Sequence, residues 1–333
     1  MRALPRFLQL EPVGECNLRC QMCPIQFRGD GRPHGPPAFM DFDLYCRLLD
    51  EFPDLEELHL QGLGEPLMHP RFFDMVERAA ARGIRVSTNT NLTLLTEKRA
   101  ERCVRSGLHT LHASLDSADA EIYEEIRPRA NFTKVARNLA HLVEARKKLG
   151  STQPAIRLIV VIMRRNLDSL TELVEFAAAH EIDNIFVQHL CHDFGEQSLP
   201  ERYAPMREFI DAQTLLNADE ARALEVFDRA QQRAIQLGIE LRVPQIRPTA
   251  HPPGTPGPER CDWPWRGAYI SYRGDAMPCC MVATPDRINF GNVAESNAFS
   301  VWNNAGYEAF RSALESEIPP DVCQSCAIYA RTF

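Results

Sequence analysis

The chain has 333 residues and is 44% apolar, enough to bury a large core, and its length fits one barrel of about 250 residues plus an appendage. Its formal charge, 37 minus 45 or −8, comes with no long basic run, so neither nucleic acid nor an anionic membrane surface is an expected partner. "MRALPRFLQLEP" has no stretch of signal-peptide length, and no run of about 18 apolar residues occurs, so a cytoplasmic protein is expected.

The first β-rich run, "FLQLEP" at 7–12, leads directly into "ECNLRCQMCP" at 15–24, which carries Cys16, Cys20 and Cys23. Five further β-rich runs follow: "ELHLQG" at 57–62, "IRVSTN" at 84–89, "TLHASLD" at 110–116, "IRLIVVIM" at 156–163 and "NIFVQHL" at 184–190. Between them, "RFFDMVERAAARG", "TEKRAERCVRSG" and "DSLTELVEFAAAHE" repeat apolar residues at helical spacing. Repeated βα order predicts a parallel sheet, and six repeats predict an α/β fold, a partial (β/α)6 TIM-like barrel with its functional residues on the loops after the strands. The barrel is expected over 1–190, a helical segment covering it over 191–250, and a small β-hairpin plus helix domain over 251–333 after the Pro-rich break "IRPTAHPPGTPGPER".

Eleven cysteines in a reducing compartment point to metal binding rather than disulfides. They fall into two groups: Cys16, Cys20 and Cys23 at one end, and Cys261, Cys279, Cys280, Cys323 and Cys326 at the other, with Cys46, Cys103 and Cys191 scattered between. Two groups imply two sites. The first group has three thiols where a structural zinc needs four ligands, with His34 as the available fourth. Three thiolates can instead hold three irons of a 4Fe-4S cluster and leave the fourth iron open.

The Cys-x3-Cys-x2-Cys spacing after a first barrel strand resembles the radical SAM enzymes. That resemblance implies that S-adenosylmethionine (SAM) chelates the open iron and is cleaved there to methionine and a 5′-deoxyadenosyl radical. "QGLGEP" resembles the family's Gly-Gly-Glu-Pro stretch, implying Gly64 and Glu65 at the SAM amino group, with Leu63 where a second glycine is common. "STNTN" and "ASLDS" supply Asn89, Ser114 and Asp116 for ribose and carboxylate groups. Arg127 resembles an arginine paired with the SAM carboxylate, and Met22 offers apolar contact to adenine.

The run from Cys261 through Gly274-x4-Cys279 to Cys323-x2-Cys326 resembles the auxiliary-cluster domains called SPASM and twitch. With Cys280 set aside as the neighbour of Cys279, four thiolates imply a second, fully ligated 4Fe-4S cluster, and a zinc ribbon is the alternative. The layout is similar to twitch-type aminocyclitol dehydrogenases. With the first cysteine at residue 16, no leading peptide-recognition domain is expected, which favours a small polar, carbohydrate-like or cyclitol substrate oxidised to a ketone. A flavodoxin or ferredoxin is the implied reductant. Epimerisation or peptide maturation is the alternative, and a non-catalytic iron–sulfur electron carrier the third reading. Around the sixth strand's end, His189, His192 and Asp193 are candidate bases, and Cys191 or Cys280 a candidate hydrogen-atom donor.

Overall fold

Short β-branched and leucine-rich runs alternate with amphipathic helices, and each strand buries one face against the helix that follows it. The computed structural model describes residues 2–29, 38–190, 199–216 and 220–333. Of the expected site residues, His34, Cys191, His192 and Asp193 lie outside these. The six expected strands form at β1 (Phe7–Leu10), β2 (Glu57–Leu60), β3 (Arg85–Thr90), β4 (Thr110–Ser114), β5 (Ala155–Ile162) and β6 (Asn184–His189). A seventh, β7 (Glu240–Arg242), pairs parallel to β6. The hairpin β8 (Gly267–Ile270) and β9 (Ala276–Met277) adds to the other edge, with β8 parallel to β1. The resulting sheet runs β7-β6-β5-β4-β3-β2-β1-β8-β9 and stays open, as a partial barrel does.

Eight helices accompany the sheet: α1 (Phe42–Glu51), α2 (Phe72–Ala80), α3 (Glu97–Arg105), α4 (Ala120–Ile126), α5 (Phe132–Leu149), α6 (Leu170–Ala179), α7 (Ala204–Gln213) and α8 (Glu220–Leu237). Local chemistry sets their ends. Asp41, Asp119 and Asn131 cap α1, α4 and α5 by accepting backbone N–H groups, and Gly150 ends α5 at φ +61°. The buried stripe Val135, Leu139, Leu142 on α5 repeats at helical spacing. Five short helices, α9 (Gly257–Arg260), α10 (Trp263–Arg266), α11 (Ala298–Trp302), α12 (Ala305–Glu315) and α13 (Asp321–Gln324), complete the chain. Among the described residues no helix is long and apolar enough to cross a membrane.

Two expectations about organisation change. The segment 191–250 is not simply a cover: α8 packs on α6 outside the barrel and is the crossover helix that delivers β7. Of its described residues, Leu199, Tyr203 and α7 reach the barrel mouth, where Tyr203, Met206 and Ile210 join a small apolar cluster with Met163, Leu190 and Ala283. The sheet also crosses the expected boundary at 250, because β8 of the C-terminal part hydrogen-bonds to β1.

The main core lies between the sheet and its helices. Leu58 and Leu60, Val86, Leu111 and Ala113, Leu158, Val160 and Ile162 all point into it and are buried. The opposite face of β2, β3 and β4 is polar, unlike the Val/Ile/Leu-filled interior usual in closed barrels, while β5 presents Ile159 and Val161 there. His59 Nδ1 shares a 2.7 Å hydrogen bond with Ser87 Oγ, His112 Nδ1 donates to Asn89 Oδ1 at 2.7 Å, and Gln9 Nε2 donates to Gln61 Oε1 at 2.6 Å. The two imidazoles lie 5.7 Å apart. Burial, and for His59 the neighbouring His112, pushes His59 down to about 3; burial and then the Arg157 charge push His112 down to about 4.

Both folded-state values lie below the unfolded value of about 6.5, so below that pH the unfolded chain binds more protons. Stability from the neutral pair is complete above pH about 6.5 and is lost as pH falls toward the folded-state values. Chemical denaturation of the protein across pH 7 to 5 is expected to show a loss of up to about 1.4 kcal/mol per pH unit for each histidine. In the paired His59→Gln, His112→Gln variant this slope should flatten; an unchanged slope would show that the pair takes up protons without cost in the folded state.

Candidate active site

The three N-terminal thiols sit where β1 ends. After Leu10 the chain turns through Pro12 and Val13, and the loop is stapled by Gly14 N–H to Ala38 O (2.8 Å) and Cys23 N–H to Cys20 O (3.1 Å). Pro24 then starts a single 3-10 turn over Pro24–Gln26 that ends the loop. Arg19 Nη1 donates to Cys16 O (2.5 Å) and Leu18 O (2.8 Å), and Gln26 Nε2 to Cys20 O (2.7 Å). The thiols therefore project from a loop whose carbonyls are already satisfied.

Beside them lies a cavity of about 270 Å³ lined by Cys16, Cys20, Cys23 and the ends of the strands that follow. Its lining follows the strand alternation: Asn89 on β3, Ser114 on β4, Ile159 and Val161 on β5 and Gln188 on β6 all face inward. Register aligns Ser114 with Ile159 and Val161 with Gln188 across the floor. Met22, Leu63 and Leu190 form an apolar rim.

The loop after β2 is pressed against the thiol loop. A Cβ on Gly64 would stand 2.0 Å from Val13 O and 2.6 Å from Glu15 O, and one on Gly62 2.3 Å from Glu11 Cγ. Gly64, expected at the SAM amino group, lines the cavity, and its bare Cα also lets the neighbouring loop approach. Glu65 follows, 3% exposed, with both carboxylate oxygens held: Oε1 accepts from Leu67 N–H (3.1 Å) and Thr90 Oγ1 (2.7 Å), and Oε2 from Asn91 N–H (2.8 Å). Burial raises its pKa against those hydrogen bonds.

Arg127, at the end of α4, lines the cavity and is 8% exposed. Burial disfavours its charge, but Asp116 and then Cys20 more than restore it. Asp116 Oδ2 accepts from Arg127 Nε at 2.7 Å, and Oδ1 from Val161 N–H at 2.9 Å. Asp116 was expected to meet a ligand directly; it is absent from the cavity lining and acts by holding Arg127.

His189 also differs from expectation. It alternates with Gln188 and faces outward, 3% exposed, with Nε2 2.9 Å from Gln245 O. A base on β6 at the cavity is thus not His189. Cys280, the other candidate hydrogen donor among the described residues, packs with Cys279 and Cys323 among Tyr269, Met277 and Phe310 in the C-terminal apolar cluster.

The alternation also identifies residues that were missed, namely Gln61, Asn91 and Gln188. Gln188 was legible as the inward neighbour of Leu190 once the strand was placed. Asn91 was not, because its role comes from a network across loops: its Nδ2 donates to Asn17 Oδ1 (3.1 Å) and approaches Cys16 Sγ (3.7 Å), while Asn17 Nδ2 donates to Thr93 Oγ1 (2.8 Å).

The donor set fits an iron–sulfur cluster. The three thiols are free, and they are close enough that each would oppose ionisation of another. Burial pushes Cys16 up to about 11 and Cys23 up to about 12, so thiolates there need a cationic partner, which iron supplies. In the C-terminal set, Cys323 lies in α13, Cys326 N–H donates to Cys323 O (3.2 Å), and Cys261 follows α9 with its thiol pushed up to about 11 by burial. Cys16, Cys20 and Cys23 would hold the SAM-binding cluster, and Cys261, Cys279, Cys323 and Cys326 the auxiliary one.

Substitutions separate the two sets. Cys16→Ala should lower iron after anaerobic reconstitution from about eight to about four per chain and abolish 5′-deoxyadenosine formation. Cys279→Ala should leave SAM binding intact. Asp116→Asn, which frees Arg127, should weaken SAM binding by about 10-fold with iron content unchanged, as read by titration of the cluster spectrum. Equal affinity in Asp116→Asn would show that Arg127 does not depend on its carboxylate.

Comparison with known proteins agrees with this geometry. The radical SAM superfamily profile matches residues 10–177, and that of the SPASM iron–sulfur cluster-binding domain matches residues 261–327. A tungsten-containing aldehyde ferredoxin oxidoreductase cofactor-modifying protein of Pyrococcus furiosus is 27% identical over 97% of this chain and 87% of its own length. A PqqA peptide cyclase of Xanthomonas euvesicatoria is 26% identical over 97% of this chain and 80% of its own. Among solved structures, Streptococcus suis SuiB bound to its precursor peptide SuiA superposes with a TM-score of 0.69 at 18% identity, covering 98% of this chain and 71% of SuiB, which is a likeness of fold. With three thiols after the first strand of a partial barrel and a matching profile over half its length, the chain belongs to the radical SAM superfamily, uses SAM and two 4Fe-4S clusters, and carries a C-terminal SPASM domain.

Proposed function

We propose that the chain is a radical SAM maturase whose substrate is a peptide. The observation that carries this reading is the similarity to PqqA peptide cyclases along 97% of the chain, barrel and auxiliary domain together. The rim supports it. Met22, Phe27, Leu63, Leu199 and Phe209 border the mouth beside buried Tyr203 and Met206, an apolar shoulder suited to aliphatic or aromatic side chains. A hydroxyl-dense polyol would lose hydration there without matching hydrogen bonds. The similarity to a peptide cyclase favours this reading over the cyclitol oxidation expected from the sequence.

When bound to its cluster, SAM supplies a radical able to remove a substrate hydrogen atom, and the auxiliary cluster provides a sink for the electron left behind. The chain's own residues hold the cosubstrate. Arg127 offers a cation to its carboxylate, and Glu65 an acceptor to its amino group. Asn89, Ser114 and Gln188 offer hydrogen bonds to its ribose, and Met22 an apolar face to adenine. A flavodoxin or ferredoxin serves as the one-electron donor.

The test is anaerobic incubation of reconstituted enzyme with SAM, a reductant and a panel of short synthetic peptides rich in aliphatic and aromatic residues, in parallel with a panel of cyclitols. Peptide should raise 5′-deoxyadenosine formation and emerge lighter by two hydrogen atoms, the balance for a new internal bond. Conversion of a cyclitol to a ketone with every peptide unchanged would overturn the proposal.

A further inference from the structure

At the end of β1, Glu11 and Arg28 form a bidentate ion pair with Nη1–Oε1 at 2.8 Å and Nη2–Oε2 at 3.1 Å. Their side chains are 0% and 1% exposed, respectively. A buried pair of this kind is weak evidence for stability, because desolvating both charges offsets most of their attraction. Its other contacts show what it does. Glu11 Oε1 also accepts from Leu63 N–H at 3.1 Å, in the loop after β2. Glu11 Oε2 accepts from Tyr272 N–H at 3.5 Å, in the hairpin turn that leads to Cys279. The Arg28 guanidinium lies 5.2 Å from the centre of the Tyr272 ring, and Gly62 leaves room for the Glu11 stem.

One carboxylate thus joins three loops: the thiol loop through Arg28, the Gly62–Glu65 loop through Leu63, and the auxiliary hairpin through Tyr272. A second contact spans the same seam. Arg202 Nε donates to Phe27 O at 2.7 Å, Arg202 pairs with Asp286, and Tyr203 OH lies 3.0 Å from Thr284 Oγ1. Residues 27 and 28 are therefore gripped from both sides by groups that also hold the auxiliary domain.

We propose that Glu11 is a positioning residue that acts through Arg28, Leu63 and Tyr272 to hold the SAM loop and the auxiliary-cluster hairpin in fixed relation to the thiol loop. Neither Glu11 nor Arg28 lines the cavity beside the thiols, whereas Leu63 does. Its loss releases the amide of Leu63 at the SAM site and that of Tyr272 at the base of the auxiliary hairpin together. The role concerns both cofactor sites and holds whatever the substrate.

The test uses reconstituted full-length protein and no substrate. Two variants separate positioning from folding: Glu11→Gln, which leaves Arg28 charged, and the pair Glu11→Leu, Arg28→Leu, which removes both charges. The pair should fold with an unfolding midpoint near that of the parent, because apolar replacement relieves the desolvation of both ions. Both variants should bind iron like the parent. Both should need about 10-fold more SAM to produce the SAM-dependent change in the low-temperature EPR spectrum of the reduced cluster. Pulsed EPR should find a broader spread of distances between the two reduced clusters. A leucine pair with the parent's SAM titration and distance distribution would overturn the proposal and leave the ion pair a folding element. So would a defect confined to Glu11→Gln and cured in the leucine pair.

Discussion

The mouth of the barrel depends on how closely its first two strand-end loops approach. With Gly64 Cα facing the Val13 and Glu15 carbonyls, no room remains for a side chain, and Glu65 N–H closes the contact on Glu15 O at 3.0 Å. That closure brings Glu65 into reach of Thr90 and Asn91 on the third strand's loop, which in turn place an amide near Cys16. Glu65, Asn91 and Asn89 are each held by a neighbouring strand or loop, so this part of the site is preorganised by succession rather than by any single anchor. Leu63, standing where the Gly-Gly-Glu-Pro stretch that this loop resembles would have glycine, does not disturb this. Its amide bonds to Glu11 and its side chain joins the rim, so the close approach falls to Gly62 and Gly64 on either side.

Burial of three thiols is costly, and the chain surrounds them with little charge of its own. Arg127 is the nearby cation, already committed to Asp116, while Glu65 opposes ionisation of Cys16. Such a site has net negative character once its thiolates form, which favours a positively charged inorganic core over an empty pocket. The polar inner face continues below the cavity through Asn89, His112, Ser87 and His59. Those groups hydrogen-bond in pairs between adjacent strands. They fill the barrel's interior while the apolar side chains pack outward under the helices.

The six strands and their order were legible because each is a short β-rich run followed by an amphipathic helix, and two-residue alternation then fixes which side chains face the cavity. Asn89, Ser114 and the three cysteines followed from motif and position. Asp116 and His189 show where this fails. Asp116 lies past the end of β4, where alternation no longer applies and a buried arginine eleven residues on captures the carboxylate. His189 is one residue out of phase with Gln188, a distinction invisible until the strand's facing is known. β7 was missed because it is three residues long, and α8 was read as a cover because an amphipathic helix does not reveal which surface it meets. Glu11 and Arg28 gave no signal: their pairing spans seventeen residues, and their third partner, Tyr272, is more than two hundred residues away.

Continuity of the sheet into the C-terminal domain limits how the two cluster sites can vary. β8 runs parallel to β1 in register, with Ile270 beside Leu10, so the thiol loop and the hairpin turn before β9 leave the same end of adjacent strands, and β9 then runs back antiparallel to β8 before Cys279. Neighbouring strands stand about 4.8 Å apart, and the ladder between them cannot slip without turning the buried faces outward. Cys16 follows Leu10 by six residues, and Cys279 follows Ile270 by nine. The separation of the two sites is therefore set by the β1–β8–β9 ladder plus short connections, with Glu11 clasping the segment after the thiols and the hairpin turn through Arg28 and Tyr272. Variation in substrate must then come from parts that do not bear on that ladder. Among the described residues, Leu190 and the α7 residues Met206 and Ile210 are such parts, since they pack together beside the rim on strands and helices away from β1 and β8.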